Sequence, residues 1–431
     1  MPLRGVKIEI KYDFYYIFSS YQSRILHKNS TMLVIGLIKE GKVPADNRVA
    51  LTPAQCKFLI KHFPDIQIKV QPSPNRCYKD AEYQQAGIEL TNNLSDCNLL
   101  LGIKEVPVNQ LIPNKRYAFF SHTKKMQPYN QALMHAMVQN KITLIDYECL
   151  EHKDGQRIIG FGFFAGIVGA HNGMMAYGNK SGAYHLERVH KVKDYLELIH
   201  TYFGLKLPPV KIVVTGSGRV AHGILEIMNL MDVQEVEPED YLTKQFDYPV
   251  YVQLKGANLY SHKATGKYNR QHFHEHPHEY NCLFSQYFSE TDILMNGIYW
   301  SNDMPRLFEL DDMKRTDFRI TTIADITDDK FGSVPCNLGD STIDEPVYGV
   351  NKNLGNKTAP CEMGSIDIMA VGNLPNELPR DASRFFGEQL IKYILNDIRT
   401  GGSELIEKAT ILAEGKLSHH FEYLQEYAAV D

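Results

Sequence analysis

The chain has 431 residues, 43% of them hydrophobic and 23% charged, with 46 Lys+Arg against 51 Asp+Glu for a formal charge of -5. That length supplies two or three domains with ample core, and the weak acidity excludes nucleic acid or an anionic membrane as the main partner. No run approaches the roughly 18 consecutive apolar residues of a membrane span, and the seven cysteines are scattered without a C-x-x-C pair, which points to reduced thiols in a cytoplasmic protein.

In chain order, Met1–Thr31 is basic and aromatic. Its apolar stretch Phe14–Phe18 is short and has no small-residue cleavage site behind it, so it reads as a poorly ordered extension rather than a signal peptide. From Met32 onward, apolar runs alternate with helical patterns, the signature of an α/β fold. Strands are expected at Val34–Ile38, Ile66–Val70, Leu99–Ile103, Tyr117–Phe120 and Thr143–Asp146. Helices are expected at Pro53–Phe63, capped by Thr52, and over 128–139. A second unit opens with the β-branched run Val210–Thr215, followed by a helix at Val220–Met231 and strands at Asp292–Asn296 and Thr321–Ile326. Residues 243–280 are polar, aromatic and His-rich and read as an insertion or long loop. Helical stretches at Ala382–Arg399 and Glu404–Tyr427 close the chain.

Between strand and helix, Gly216-Ser217-Gly218-Arg219-Val220-Ala221 has the form G-x-G-x-x-A. The first glycine permits a tight turn and the second lets the backbone approach a pyrophosphate. The small Ala221 allows close helix–strand packing, and the helix amino end offers N–H groups and a positive dipole to phosphates. The pattern points to NAD or NADP. About 20 residues on, an acid should stand at the tip of the second strand for the ribose hydroxyls. Glu235, Glu237 and Glu239 are available and Glu237 has the best spacing. An acid there favours NAD, because it repels a 2′-phosphate.

Two strands upstream run into ionisable groups: Leu99–Ile103 into Lys104-Glu105, and Tyr117–Phe120 into Ser121-His122-Thr123-Lys124-Lys125. Strand ends in α/β proteins gather sites, although Lys104 and His122 taken singly are equally ordinary surface residues. In the Gly- and Phe-rich stretch 157–170, small residues at 162, 166 and 169–170 predict close helix packing at a domain junction. His272, His274, His276 and His278 would share one face of a strand, but no acid or Cys partner is evident, so they read as a solvated loop and no metal is expected.

These stretches together resemble the alanine dehydrogenase superfamily. The resemblance is closest to lysine-forming saccharopine dehydrogenase, especially the lysine–ketoglutarate reductase half of the bifunctional aminoadipic semialdehyde synthase. Tyr117–Gln127, Leu144–Glu148, Glu235–Leu242, Leu294–Leu307 and Ile326–Ser333 carry it, within a span from Met32 to about Gly387. It implies two Rossmann-like α/β domains with a cleft between them. A catalytic, alanine dehydrogenase N-terminal-like domain would comprise 32–185 plus 375–431. A doubly wound NAD(P)-binding domain would comprise 186–374, with its insertion at about 243–280.

The implied reaction converts saccharopine, water and a nicotinamide cofactor to lysine and 2-oxoglutarate, or runs in reverse. Lys104 matches the family's proton acceptor and His122 its proton donor. Arg48, Lys125, Gln127, Arg157 and Phe161 fall on substrate contacts or beside the site. Gly218, Arg219, Tyr299, Ile326, Asp329, Asn373 and Leu374 fall on the cofactor side, with Gly216 in the turn. A substrate with three carboxylates suits Arg48, Arg157 and Lys125 as an anion clamp.

Departures from the family pattern are Gln156 in place of an Arg at the cofactor, Asp328 in place of a small residue, and Gly372 in place of an acid. Val371–Pro375 instead resembles alanine dehydrogenase. The runner-up is therefore an alanine or other small amino acid dehydrogenase, and the non-enzyme alternative is a dinucleotide-sensing protein. NAD versus NADP stays open, since the reductase half uses NADP, and so does the oligomeric state.

Overall fold

The computed structural model describes residues 32–153, 155–339 and 341–430; the extension expected at 1–31 lies outside them. Two eight-stranded sheets organise the rest. The first contains β1 (Leu33–Leu37), β2 (Ile66–Val70), β3 (Glu89–Leu90), β4 (Leu99–Leu101), β5 (Arg116–Phe119) and β6 (Thr143–Asp146). These six pair in parallel, in the order β6-β5-β4-β1-β2-β3. β4 and β5 are almost wholly buried, as strands covered by helices on both faces must be. The helix Pro53–His62 is set by a capping box: the Thr52 hydroxyl accepts the Gln55 amide, and the Gln55 side chain accepts the Thr52 amide.

The second sheet is built around β7 (Lys211–Thr215), β8 (Gln234–Glu235) and β9 (Val250–Leu254). After a small hairpin of β10 (Tyr260–His262) and β11 (Tyr280–Cys282), it continues with β12 (Ile293–Asn296), β13 (Thr322–Asp325), β14 (Val347–Asn351), β15 (Lys357–Thr358) and β16 (Ser365–Met369). Its order is β15-β14-β16-β13-β12-β7-β9-β8, with β14 antiparallel to both neighbours. The interval 243–280, expected as an insertion, thus contains a fully buried strand next to β7. Val250-Tyr251-Val252-Gln253-Leu254 is a β-branched and aromatic run; its polar flanks hid it.

The C-terminal segment returns to the first sheet. The helix Pro379–Leu390 continues through a π turn to Arg399, and Phe386, Leu390, Ile394 and Ile398 enter the core of Ile35, Leu99 and Phe119. The single helix expected over 404–427 does not form. A helix Glu404–Ala409 gives way to β17 (Thr410–Ala413), which pairs antiparallel with β6, and then to β18 (Lys416–Leu417). Thr410-Ile411-Leu412 prefers a strand, and Glu414 (φ 51°) with Gly415 (φ 79°) makes the turn.

The long helix Gly162–Ser181, which the sequence groups with the first domain, packs into the core of the second. Ile167, Val168 and Met174 join Ile212, Val214 and Ile224. Small residues decide this. A Cβ on Gly166 would lie 2.0 Å from the Val220 carbonyl oxygen, and one on Gly223 would lie 2.1 Å from that of Phe163. The expected close packing at 162–170 is therefore present, against the helix Arg219–Leu230. Among the described residues, no helix is long and apolar enough to cross a membrane.

Candidate active site

In each sheet the chain reverses its direction of growth at one place, where the strands' carboxyl ends open a crevice. In the first sheet that place lies between β1 and β4. Glu40, just after β1, accepts the amides of Ile103 (2.7 Å) and Lys104 (2.9 Å), just after β4. Burial, with Asp46 nearby, pushes the Glu40 carboxyl up to about 8 against those two bonds. Burial also lowers the Lys104 ammonium to about 8, helped by the charges of Arg48 and Lys42. A lysine so tuned is neutral often enough to accept a proton near physiological pH.

Next along the crevice, His122 follows β5 in a left-handed conformation (φ 52°). Its Nδ1 lies 2.7 Å from Glu105 Oε1, and Lys42 Nζ sits 3.1 Å from Glu105 Oε2. Burial pushes Glu105 up, but the hydrogen bond and charge of His122, with Lys42, outweigh it and hold the carboxyl at about 2. Glu105 therefore stays ionised and orients the imidazole. Below them Asp146, at the end of β6, accepts the amide and hydroxyl of Ser121; burial raises it to about 6.

The expected anion clamp is more strongly compensated than residue types suggest. Buried Arg48 is bound through Nε and Nη2 to Asp46 and through Nη2 to Asn373 Oδ1 (2.8 Å). Its guanidinium stacks 4.1 Å from the Phe161 ring centroid, and Phe161 stacks on Phe386 from the C-terminal helix at 4.7 Å. Arg157 pairs with Glu148 at 2.9 Å. Lys125 is exposed and within electrostatic reach of Asp329 in the other domain. Gln127 is half-buried, with its backbone carbonyl accepting the Tyr427 hydroxyl.

In the second sheet the reversal falls between β7 and β12. Gly216 turns with φ 100°, and a Cβ there would lie 2.6 Å from the Gly297 carbonyl oxygen. A Cβ on Gly218 would meet nothing within 4 Å, and the helix that begins at Arg219 has no side-chain cap. Open space before an uncapped helix end fits a dinucleotide pyrophosphate. Thr215, Asn296, Asp325 and Asn337 hold the crevice rigid through a chain of buried hydrogen bonds. Arg219 reaches across to the Ile158 carbonyl at 3.4 Å. Ile326 lies against Gly169, Leu374 is buried, and Asn373 sits half-buried at the Arg48–Asp46 pair. Tyr299 is 78% exposed at the rim.

The acids chosen by spacing lie one strand beyond β9, the neighbour of β7. Glu235 and Glu237 lie on or just beyond β8, the outermost strand, with Glu239 in the short helix that follows. Sequence reading also overlooked Glu40, Asp46 and Phe386, which come together only in three dimensions, and gave Glu105 no role. The four histidines do not share a strand face. His272 and His274 lie in a helix Arg270–Glu275, His278 in a 3-10 turn Pro277–Glu279, and His276 between the two. An acid does stand among them: His262, His272 and Glu279 bring ligand-type atoms within 4.8 Å of one another. His262 Nδ1 accepts the amides of Ala264 and Thr265, which leaves its Nε2–H to donate to Glu279 at 3.1 Å. That tautomer makes the group a hydrogen-bonded cap on the hairpin.

Residues 36–168 match the family described as Alanine dehydrogenase/PNT, N-terminal domain. An alpha-aminoadipic semialdehyde synthase of Arabidopsis thaliana is 28% identical over 91% of this chain, which spans 41% of that protein. A saccharopine dehydrogenase [NAD(+), L-lysine-forming] of Yarrowia lipolytica is 26% identical over 82% of this chain and 89% of its own length. Among solved structures, an L-alanine dehydrogenase superposes with a TM-score of 0.62 at 15% identity, covering 92% of this chain and all of that one. The chain thus spans less than half the length of the semialdehyde synthases it matches. The resemblance read from the residues agrees with these similarities, and so does the two-domain α/β architecture: the chain is similar to alanine dehydrogenase and saccharopine dehydrogenase.

Proposed function

From that relationship we propose that the chain is a nicotinamide-dependent oxidoreductase acting on the C–N bond of saccharopine, giving lysine and 2-oxoglutarate, or catalysing the reverse condensation. The observation that carries this reading is the crevice in which Lys104, lowered to about 8, lies next to the Glu105–His122 pair. A nicotinamide bound at Gly216–Gly218 would supply the hydride acceptor. Lys104 takes the proton of the secondary amine as the C–H bond breaks and the C=N bond forms. His122, oriented by Glu105, passes protons as water adds to that carbon and the C–N bond to lysine breaks. Atoms balance as saccharopine, water and oxidised cofactor going to lysine, 2-oxoglutarate, reduced cofactor and one proton. Arg48, stacked on Phe161, Arg157 and Lys125 meet substrate carboxylates, with Gln127 beside them. The two domains, with the helix Gly162–Ser181 counted to the second, would close on the substrate, and seven free thiols suit the cytoplasm.

The test is a turnover screen with both reduced cofactors, lysine plus 2-oxoglutarate against pyruvate plus ammonia. Oxidation of the cofactor with the first pair supports the reading. Turnover with the second pair alone would replace it with a small amino acid dehydrogenase.

A further inference from the structure

We infer that Lys255 reads the adenosine ribose of the cofactor by its 2′-phosphate, so that the chain takes NADP in preference to NAD. The inference rests on the reading of Gly216–Gly218 as a dinucleotide site. In such a fold the ribose lies over the carboxyl end of the strand beside the first one, where an acid selects NAD and a cation accommodates the phosphate of NADP.

Register decides which strand that is. β9 pairs with β7 along its whole length, from Lys211↔Val250 to Thr215↔Leu254, and the Gly216 amide donates to the Leu254 carbonyl at 3.0 Å. The residue that leaves the carboxyl end of β9, level with the glycine turn, is Lys255. By contrast, β8 pairs only with the amino-terminal end of β9, Gln234↔Val250 and Glu235↔Tyr251. Glu235, level with Tyr251, stands about 13 Å below that level, at roughly 3.3 Å per residue, and one strand further from β7. Its carboxylate also accepts the Tyr251 hydroxyl.

Side-chain bonds bring the ammonium to the turn. Lys255 Nζ donates to Gln253 Oε1 at 2.8 Å, and Gln253 Nε2 donates to the Gly216 carbonyl at 2.9 Å. One amide therefore separates the cation from the first glycine. Lys255 is exposed and has no carboxylate partner among the described residues. Its charge is uncompensated where a dianion would sit, whereas Arg48 and Arg157 are each held by an acid. A lysine is a compact point charge suited to phosphate.

The experiment measures binding of NADPH, NADH and 2′,5′-ADP to the whole chain by calorimetry, without substrate. NADPH should bind roughly 10-fold or more tightly than NADH, the scale of a hydrogen bond to a charged group, and 2′,5′-ADP should compete. Lys255→Gln should erase that ratio by weakening NADPH alone, and Lys255→Glu should reverse it; the site is exposed, so neither touches the core. A wild-type preference for NADH, an unchanged ratio in Lys255→Gln, or a ratio moved by Glu237→Gln instead would each overturn the inference. Failure of both dinucleotides to bind would overturn the proposed function as well.

Discussion

The two crevices sit at equivalent places in their sheets and are built from opposite materials. In the first, between β1 and β4, Glu40, Lys104, Glu105 and His122 are held by one another, and burial pushes Glu40 up and Lys104 down. In the second, between β7 and β12, the shape comes from missing side chains: Gly216 turns where a Cβ would strike Gly297, and Gly218 leaves open space. A site made of charges should tolerate changes of shape and fail when a charge is removed. A site made of backbone should do the reverse.

The largest effect expected is at Gly218. Gly218→Asp puts a carboxylate where a pyrophosphate would lie, so dinucleotide binding should be lost, while the melting temperature should barely move because a Cβ there meets nothing. Cofactor affinity that survives in calorimetry would break the comparison at once. In the other crevice, Lys104→Met and His122→Gln should each lower turnover by roughly 100-fold or more, the scale of positioned acid–base groups, with cofactor affinity unchanged. The double variant should lose less than the product of the two if they act as one relay. In the amine-oxidising direction the wild-type rate should climb with pH through about 8, as Lys104 becomes neutral. A pH profile of Lys104→Met that keeps this limb would assign it to another group.

Between the crevices, the glycine contact of the long helix should behave like the second one. Gly166→Ala drives a Cβ to 2.0 Å from the Val220 carbonyl oxygen and should destabilise the protein by about 1–3 kcal/mol, the usual cost of overpacking. Denaturant unfolding would measure it, and a wild-type midpoint would show that the helices part freely.

The smallest effect concerns Glu377, buried just before the helix Pro379–Leu390 and bonded to Asn172 Nδ2 at 2.8 Å. Burial pushes its carboxyl up to about 7 despite Arg188. A raised carboxyl favours folding when protonated, so this stabilisation is full below the ordinary value of 4.5 and fades as pH rises towards 7. Glu377→Gln keeps the Asn172 acceptor and removes the titration. Its melting temperature should therefore fall less than that of the wild type between pH 5 and 8. Parallel curves would show that Glu377 does not titrate in this window.

Local pattern determined much of this molecule. The buried parallel strands stand near the expected residues because a strand covered on both faces must be a continuous apolar run, and Ile66–Val70 and Thr143–Asp146 match to the residue. The glycine turn was legible because a pyrophosphate cradle needs missing side chains at fixed spacing. Lys104 and His122 were visible as ionisable groups at strand ends, and their roles came from the resemblance. What spacing could not decide was neighbourhood. Counting residues from Gly216 selects Glu237, yet β9, encoded further on, comes between β8 and β7 and carries Lys255 to the turn. Likewise Glu40 meets the amide of Lys104 across 64 residues, and Phe386 meets Phe161 from the far end of the chain. Strand order and pKa are set by long-range packing and desolvation, which no local window of residues contains.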